Sequence, residues 1–520
     1  MAKNMYSTRG AHCATDISTQ GSISRPCPAP RKGSTILPTR STLLCLVLLL
    51  GGCGLGPEFQ HPAAPLPAAY TAAPAGQAQP DLWPQDGWWR GFGSPELDRL
   101  IDQAMRANND IAAAIARVRQ ADAAVSVAAA PLLPAISAAG AGSQTHYASL
   151  PLGLPGGGLD SRSFSATAGF SSYELDLWGR LRAIAQSAQA TALANRFDAQ
   201  TIALSVVGSV ANSWTLALAT KDRLEYARQN LRDAEELLRA INGRQLAGTA
   251  SALDVAQQTT LVEQERANIP GLQSTLDQAV IALGILTGQP PEAITVRDAT
   301  LGGLTLPPVA PGLPGSLLTR RPDIAFAEAN LLGANASIRA ARAAFFPTIT
   351  LTGDGGWQST VLSSLTNPAN ALVSLSSGLT APIFDNGLRA GTLDQARGRE
   401  EELLANYRTA VLQALTDVEN ALTGLRYSTE QERLQANAVS AAQRAEMIAR
   451  AQLDAGTIDI TTLLSVETTL YTAQDSLAQV RLVRVQSQIA LYKALGGGWQ
   501  QTAPIETPSA PVPAPLAGTL

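Results

Sequence analysis

Cysteine stops at residue 53. The four cysteines are Cys13, Cys27, Cys45 and Cys53, so residues 54–520 hold none, and a disulfide framework is excluded for the body of the chain. Of three histidines only His61 and His146 follow Cys53, and neither has a second His or a Cys at ligand spacing, which argues against a zinc site. The net charge of −4 is weak for 520 residues, and no basic stripe or Lys/Arg block lies beyond the first 40. A nucleic-acid partner is therefore not expected. No nucleophile motif, P-loop or dinucleotide fingerprint appears, so neither an enzyme nor a cofactor is expected. Aromatics make up only 5% of residues, while alanine is abundant and charges are scattered. That balance favours long helices with close contacts.

The apolar stretch Leu43–Leu50 is about half the length a helix needs to cross a bilayer. It also lacks the polar positions at helical spacing that a core helix would show. Lys3, Arg9, Arg25, Arg31, Lys32 and Arg40 precede it against one acid, Asp16. A basic region, a short apolar region and small residues before a cut form a secretory signal. Leu50-Gly51-Gly52-Cys53 resembles a bacterial lipobox, in which the cysteine receives a diacylglyceryl group and becomes the mature N-terminus. The alternative is an ordinary signal with a coincidental cysteine. The basic region is about 40 residues long, so a translation start downstream of Met1 is expected. Gly54 stands where an Asp would favour inner-membrane retention, which points to the outer membrane. Acyl chains bury about 0.8 kcal/mol per CH₂, so a multiply acylated Cys53 would be a durable anchor.

Beyond the signal the chain repeats itself once. Asp110 pairs with Asp323, Pro134 with Pro347 and Gly140 with Gly353, each about 213 residues apart. Gly179/Gly387, Gly248/Gly456 and Ile281/Ile489 are about 208 apart, so the first copy carries about five extra residues between Gly140 and Gly179. Such insertions concentrate in loop tips. That interval reads as a β-hairpin in each copy, about 134–176 and 347–384. Phe164, Ala166, Ala168 and Phe170 alternate with Ser163, Ser165, Thr167 and Gly169. In the second copy Ile349 and Leu351 alternate with Thr348, Thr350 and Thr352, and Val373, Leu375 and Leu379 with Ser374, Gly378 and Thr380. Period-two alternation makes one apolar and one polar face. Pro134, Pro347 and Pro382 mark the junctions between helix and strand.

The rest of each copy reads as helix. Leu224, Ala227, Leu231, Ala234, Leu238 and Ile241 follow a heptad a/d pattern. No proline lies between Gly179 and Gly248, and a continuous helix there would run roughly 100 Å. Shorter helices in a compact bundle are the alternative. Two hairpins give four strands, too few to close a barrel, and an open edge in lipid leaves backbone groups unsatisfied. If the strands span a membrane, several chains share one barrel. Otherwise they form a soluble sheet covered by helices.

Several motifs then occur in order: the lipobox, GPEFQHP (Gly56 to Pro62), DGWWRGFGSPELDRLI (Asp86 to Ile101), RRPDI (Arg320 to Ile324), FFPTITL (Phe345 to Leu351) and LYKALGGGW (Leu491 to Trp499). Together, over about Cys53–Trp499, they resemble the outer-membrane factor family in its TolC/OprM-like, NodT-type lipoprotein branch. The resemblance implies a mainly α fold with membrane β: a homotrimer with a long α-helical barrel, an equatorial mixed belt and a shared 12-stranded β-barrel, built from two internal repeats per chain. It implies an exit duct for small molecules, driven by an inner-membrane resistance-nodulation-division pump through a periplasmic adaptor, with contacts to outer-membrane lipid. The implied layout is a signal with a long extension at 1–52, a lipidated segment and belt at 53–100, a first repeat at 101–290, an equatorial linker at 291–320, a second repeat at 321–500 and a disordered Pro-rich tail at 501–520. A duct for protein secretion and a non-conducting coiled-coil lipoprotein are the alternatives.

The same resemblance places the periplasmic gate just after a Gly-Thr turn in each copy, at Gly248 and Gly456. Asp254 matches an acidic position that helps latch the closed aperture in relatives. Relatives often carry Asp at the positions of Thr462 or Ser465, and some carry Arg at Ile458 and an aromatic at Leu453; this chain has none of these. Asp459 and Glu467 are then the nearby acids for a ring of charge, or they are solvated helix-end residues of the kind the helix dipole favours.

Overall fold

The computed structural model describes residues 59–63, 66–72, 83–147, 159–297, 300–310 and 312–501. The stretch 1–52 read as a signal, the residues Leu50, Gly51, Gly52 and Cys53 read as a lipobox, and all but the first residue of the Pro-rich tail lie outside them.

The duplication is visible as matched elements. In the first copy a short helix, α1 (Pro95–Ala107), leads into α2 (Asn109–Ala129), strands β1 (Ser137–Tyr147) and β2 (Leu159–Leu175), and helices α3 (Arg180–Leu246) and α4 (Ala252–Thr287). The second copy runs α5 (Pro322–Ala343), β3 (Thr348–Ser359), β4 (Ala371–Thr380), α6 (Leu388–Asp454) and α7 (Ile460–Ala494). Helices α3 and α6 are each 67 residues long, and α4 and α7 are 36 and 35. At 1.5 Å per residue the long pair extend about 100 Å. The compact-bundle alternative is thereby set aside.

The heptad seam read from the sequence does face inward. Leu224, Ala227, Ala234 and Ile241 are buried, and Leu231 and Leu238 are partly buried against a cluster that includes Leu261 of α4 and Leu470 and Tyr471 of α7. Alanine at the seam lets the α3/α4 and α6/α7 hairpins lie close along their length. One expectation of helix grammar fails: Pro270 lies inside α4 without ending it. Proline there removes one backbone N–H and crowds the carbonyl four residues back, yet α4 runs on to Thr287.

Midway along α3, where α4 and α7 end, is an apolar core. Trp88 stacks on Tyr492 at 4.6 Å, and Trp214, fully buried, donates to Glu96 at 3.2 Å. The DGWWRGFGSPELDRLI motif supplies one side of this core through Trp88, Phe92, Leu97 and Ile101. The RRPDI motif has a similar physical reason. Buried Arg321 donates to both oxygens of Asp323 at 3.0 and 2.6 Å, to Asp417 at 3.0 Å and to the Ala494 carbonyl at 3.1 Å. It ties the start of α5 to α6 and to the end of α7.

The strands form one antiparallel sheet in the order β1-β2-β3-β4, so the two hairpins join along β2–β3 while β1 and β4 are open edges. Register keeps the alternation intact. Ile349, Leu351 and Trp357 share a face with Val373, Leu375 and Leu379, and across the seam with Phe164, Ala166 and Phe170. Val373 is 89% exposed and Leu375 76%, as a lipid-facing surface requires. The opposite face carries mostly Ser, Thr and Gly. The extra residues of the first copy fall in its return strand. They lengthen β2, which has 17 residues against 10 in β4 and a bulge between Phe170 and Tyr173. A bulge absorbs an unpaired residue while keeping the faces in phase.

Candidate functional site: the tips of the two helical hairpins

At the far end from the sheet, the two helical hairpins turn in the same way. Gly248 has φ 76° and Gly456 φ 72°, left-handed values that end α3 and α6. The Thr249 amide donates to the Arg244 carbonyl at 2.8 Å, and the Thr457 amide to the Gln452 carbonyl at 2.9 Å; each threonine hydroxyl bonds the same carbonyl at 3.0 Å. A Cβ on either glycine would meet nothing within 4 Å, so the requirement is conformational, not steric.

The return helices start on the acids singled out in the sequence. Ser251 caps α4 by accepting from the Asp254 amide at 3.1 Å, while the Asp254 carboxylate accepts from the Ser251 amide at 2.7 Å, a reciprocal capping box. Asp459 caps α7, accepting from the Thr462 hydroxyl at 2.5 Å and its amide at 2.8 Å. Those bonds hold the Asp459 carboxyl below the usual carboxylate range, so it stays charged at neutral pH. Asp459, Thr462 and Ser465 are all exposed on the first turns of α7.

Glu467 stands apart. It is wholly buried, so it is not a solvated helix-end residue. Arg450 of α6 donates to it at 3.2 Å while also pairing with Glu446 at 2.9 Å. The second Glu467 oxygen meets no hydrogen-bond donor among the described residues. Burial pushes the Glu467 carboxyl up to about 6 against the pull of Arg450, and the nearby Glu446 and Asp233 raise it further. Burial, with Glu467 beside it, also drives the Tyr471 phenol far up.

Contacts not anticipated from the sequence hold the two hairpins to each other. Arg244 of α3 reaches Asp454 of α6 at 3.3 Å, and Arg223 of α3 grips both oxygens of Asp475 of α7 at 2.6 and 3.1 Å. The Thr461 hydroxyl and the Gln257 side chain link α7 to α4 at 3.4 Å. Beneath them Ile241, Leu453, Ile460 and Leu463 form a shared apolar plug. These partners lie more than 200 residues apart, a separation that no local pattern reveals.

Residues 100–289 and 313–497 match the family model described as outer membrane efflux protein. The pyoverdine export outer membrane protein OpmQ of Pseudomonas aeruginosa is 39% identical over 88% of this chain and 97% of its own length. The cation efflux system protein CusC of Escherichia coli is 31% identical over 89% of this chain and 100% of its own. The open-state MtrE outer membrane channel of Neisseria gonorrhoeae superposes with a TM-score of 0.78 at 27% identity, covering 88% of this chain and 100% of that one.

Proposed function

The chain belongs to the outer membrane efflux protein family and is an outer-membrane exit channel of a tripartite efflux system, and from that premise we propose how its own residues serve that role. Three chains share a twelve-stranded barrel and a long α-helical duct. The hairpin tips form the periplasmic aperture, with Asp254 and Asp459 supplying like charges around it. A periplasmic adaptor meets those tips, and an inner-membrane pump of the resistance-nodulation-division type drives cargo through. Mature chains are tethered by lipid at Cys53. The duct carries no catalytic step; its action is passive conduction.

The observation that carries this reading is the pairing of an open-edged sheet with matched 67-residue helices. Four strands with one apolar face leave two ladders unpaired, and only neighbouring copies satisfy them within lipid. A spacer lipoprotein would need no such sheet. OpmQ is named for pyoverdine and CusC for cations, two unlike cargoes on similar chains. Choice of cargo is therefore assigned to the pump, and small-molecule efflux is favoured over protein secretion.

Purified protein in planar bilayers tests the duct: step conductance with a cation preference is expected, and a lipid-inserted trimer that never conducts would contradict it. Mass spectrometry of the mature N-terminal peptide tests the anchor. Cys53 carrying a diacylglyceryl group is expected, and an unmodified or internal Cys53 would refute it.

A further inference from the structure

The polar face of the sheet is uncharged except at two places. Glu174 is one, and Arg180 neutralises it with two bonds of 3.0 and 2.6 Å. The other is Asp354, at the middle of β3. Register places it opposite Gly169 on β2 and Ser374 on β4, on the face of Thr350, Thr352, Ser376 and Gly378. The Ser374 hydroxyl donates to it, and no cation pairs with it among the described residues. Directly opposite on β2 no side chain stands beside it. A Cβ on Gly169 would come within 2.1 Å of the Gly353 carbonyl oxygen and 2.9 Å of the Asp354 Cβ, so β2 offers only backbone there. Gly356, two residues on, is likewise pressed against β2, 2.1 Å from the Ala166 carbonyl oxygen by the same measure. The matching position of the first repeat is Ala141, which faces the same side. Each chain therefore brings one uncompensated carboxylate to this face.

We infer that Asp354, repeated by the trimer, forms a ring of three carboxylates inside the β-barrel that favours cations over anions, separately from any charge at the periplasmic aperture. The inference rests on the trimeric duct described above. Twelve strands about 4.8 Å apart and tilted by about 40° put the backbone about 12 Å from the axis. Carboxylates reaching about 3 Å inward lie about 9 Å from an ion on the axis, close to the Debye length of about 10 Å at 0.1 M salt but well beyond that of about 3 Å at 1 M. Three charges at that range make the K⁺/Cl⁻ preference about six-fold at 0.1 M and less than about 1.5-fold at 1 M. The ring is a selectivity filter that salt switches off.

Reversal potentials across a KCl gradient test this in a D254N/D459N parent, where the aperture charges are neutralised and both caps keep an acceptor. Adding D354N should lower the permeability ratio by about six-fold near 0.1 M and barely change it near 1 M, while D354E should match the parent. An unchanged ratio in D354N, or an equal fall in D354E, overturns the inference while leaving the duct reading intact. A parent that never conducts contradicts both. As a second measurement, a D354C channel should react with a cationic, membrane-impermeant methanethiosulfonate reagent and change conductance. Failure to react would place residue 354 away from the water and also overturn the ring.

Discussion

Replacing Glu467 with glutamine removes a buried charge at almost constant shape. The carboxyl is wholly buried, and its pKa is raised from 4.5 to about 6, so the folded state binds its proton more tightly than the unfolded chain does. The sign follows: above about pH 6 the ionised group opposes folding, and that penalty fades as pH falls from about 6 towards 4.5. One and a half pK units correspond to about 2 kcal/mol per chain, an order of magnitude for a group without solvent screening. Arg450 is not stranded by the change, because it is half exposed and retains Glu446. Thermal unfolding in detergent, followed by tryptophan fluorescence between pH 8 and 4.5, should find E467Q the more stable protein at pH 8. The advantage should shrink on acidification and vanish near pH 4.5, because only the wild type gains a proton there. A constant difference, or a wild type that loses ground to the variant on acidification, would refute the reasoning.

Two further perturbations separate charge from architecture at the tips. D254N/D459N should lower cation preference while keeping the helix starts, because asparagine still accepts from the backbone. D254A/D459A should in addition raise conductance by loosening the hairpin ends, and planar-bilayer recordings that move with neither pair would remove these acids from the aperture. Gly248→Ala or Gly456→Ala forces a side chain into left-handed φ at a cost of about 1–2 kcal/mol. Each should lower the melting temperature, with Gly→Asn milder; an unchanged melting temperature in either alanine variant would count against the turn geometry.

Much of the fold was legible because two periodicities are strong and undisturbed. The Leu224-to-Ile241 seam and the proline-free run that follows Gly179 gave the long helix, and the Phe164-to-Phe170 alternation gave the strand and its faces. Register was not legible, nor was the bulge near Phe170, since both depend on which strand lies alongside. Pro270 would ordinarily end a helix, and the sequence alone does not show that α4 continues past it. At the tips the sequence marked Asp254 and Asp459 as acids near a turn, and the structure adds that both are also caps. A carboxylate can do both jobs with different oxygens, so charge alone cannot assign its role. Glu467 was less legible still: its ion-pair partner Arg450 lies 17 residues away across the turn. Asp354 is a single acid in a Ser/Thr/Gly alternation, and only its pairing with Gly169 and Ser374 shows that no cation among the described residues stands beside it.

The central claim is that the four-stranded sheet of one chain is a third of a membrane barrel. Native mass spectrometry of protein released from single-channel-competent detergent micelles measures this directly. A conducting species with the mass of three chains is predicted, and a conducting species of any other chain number would contradict the account.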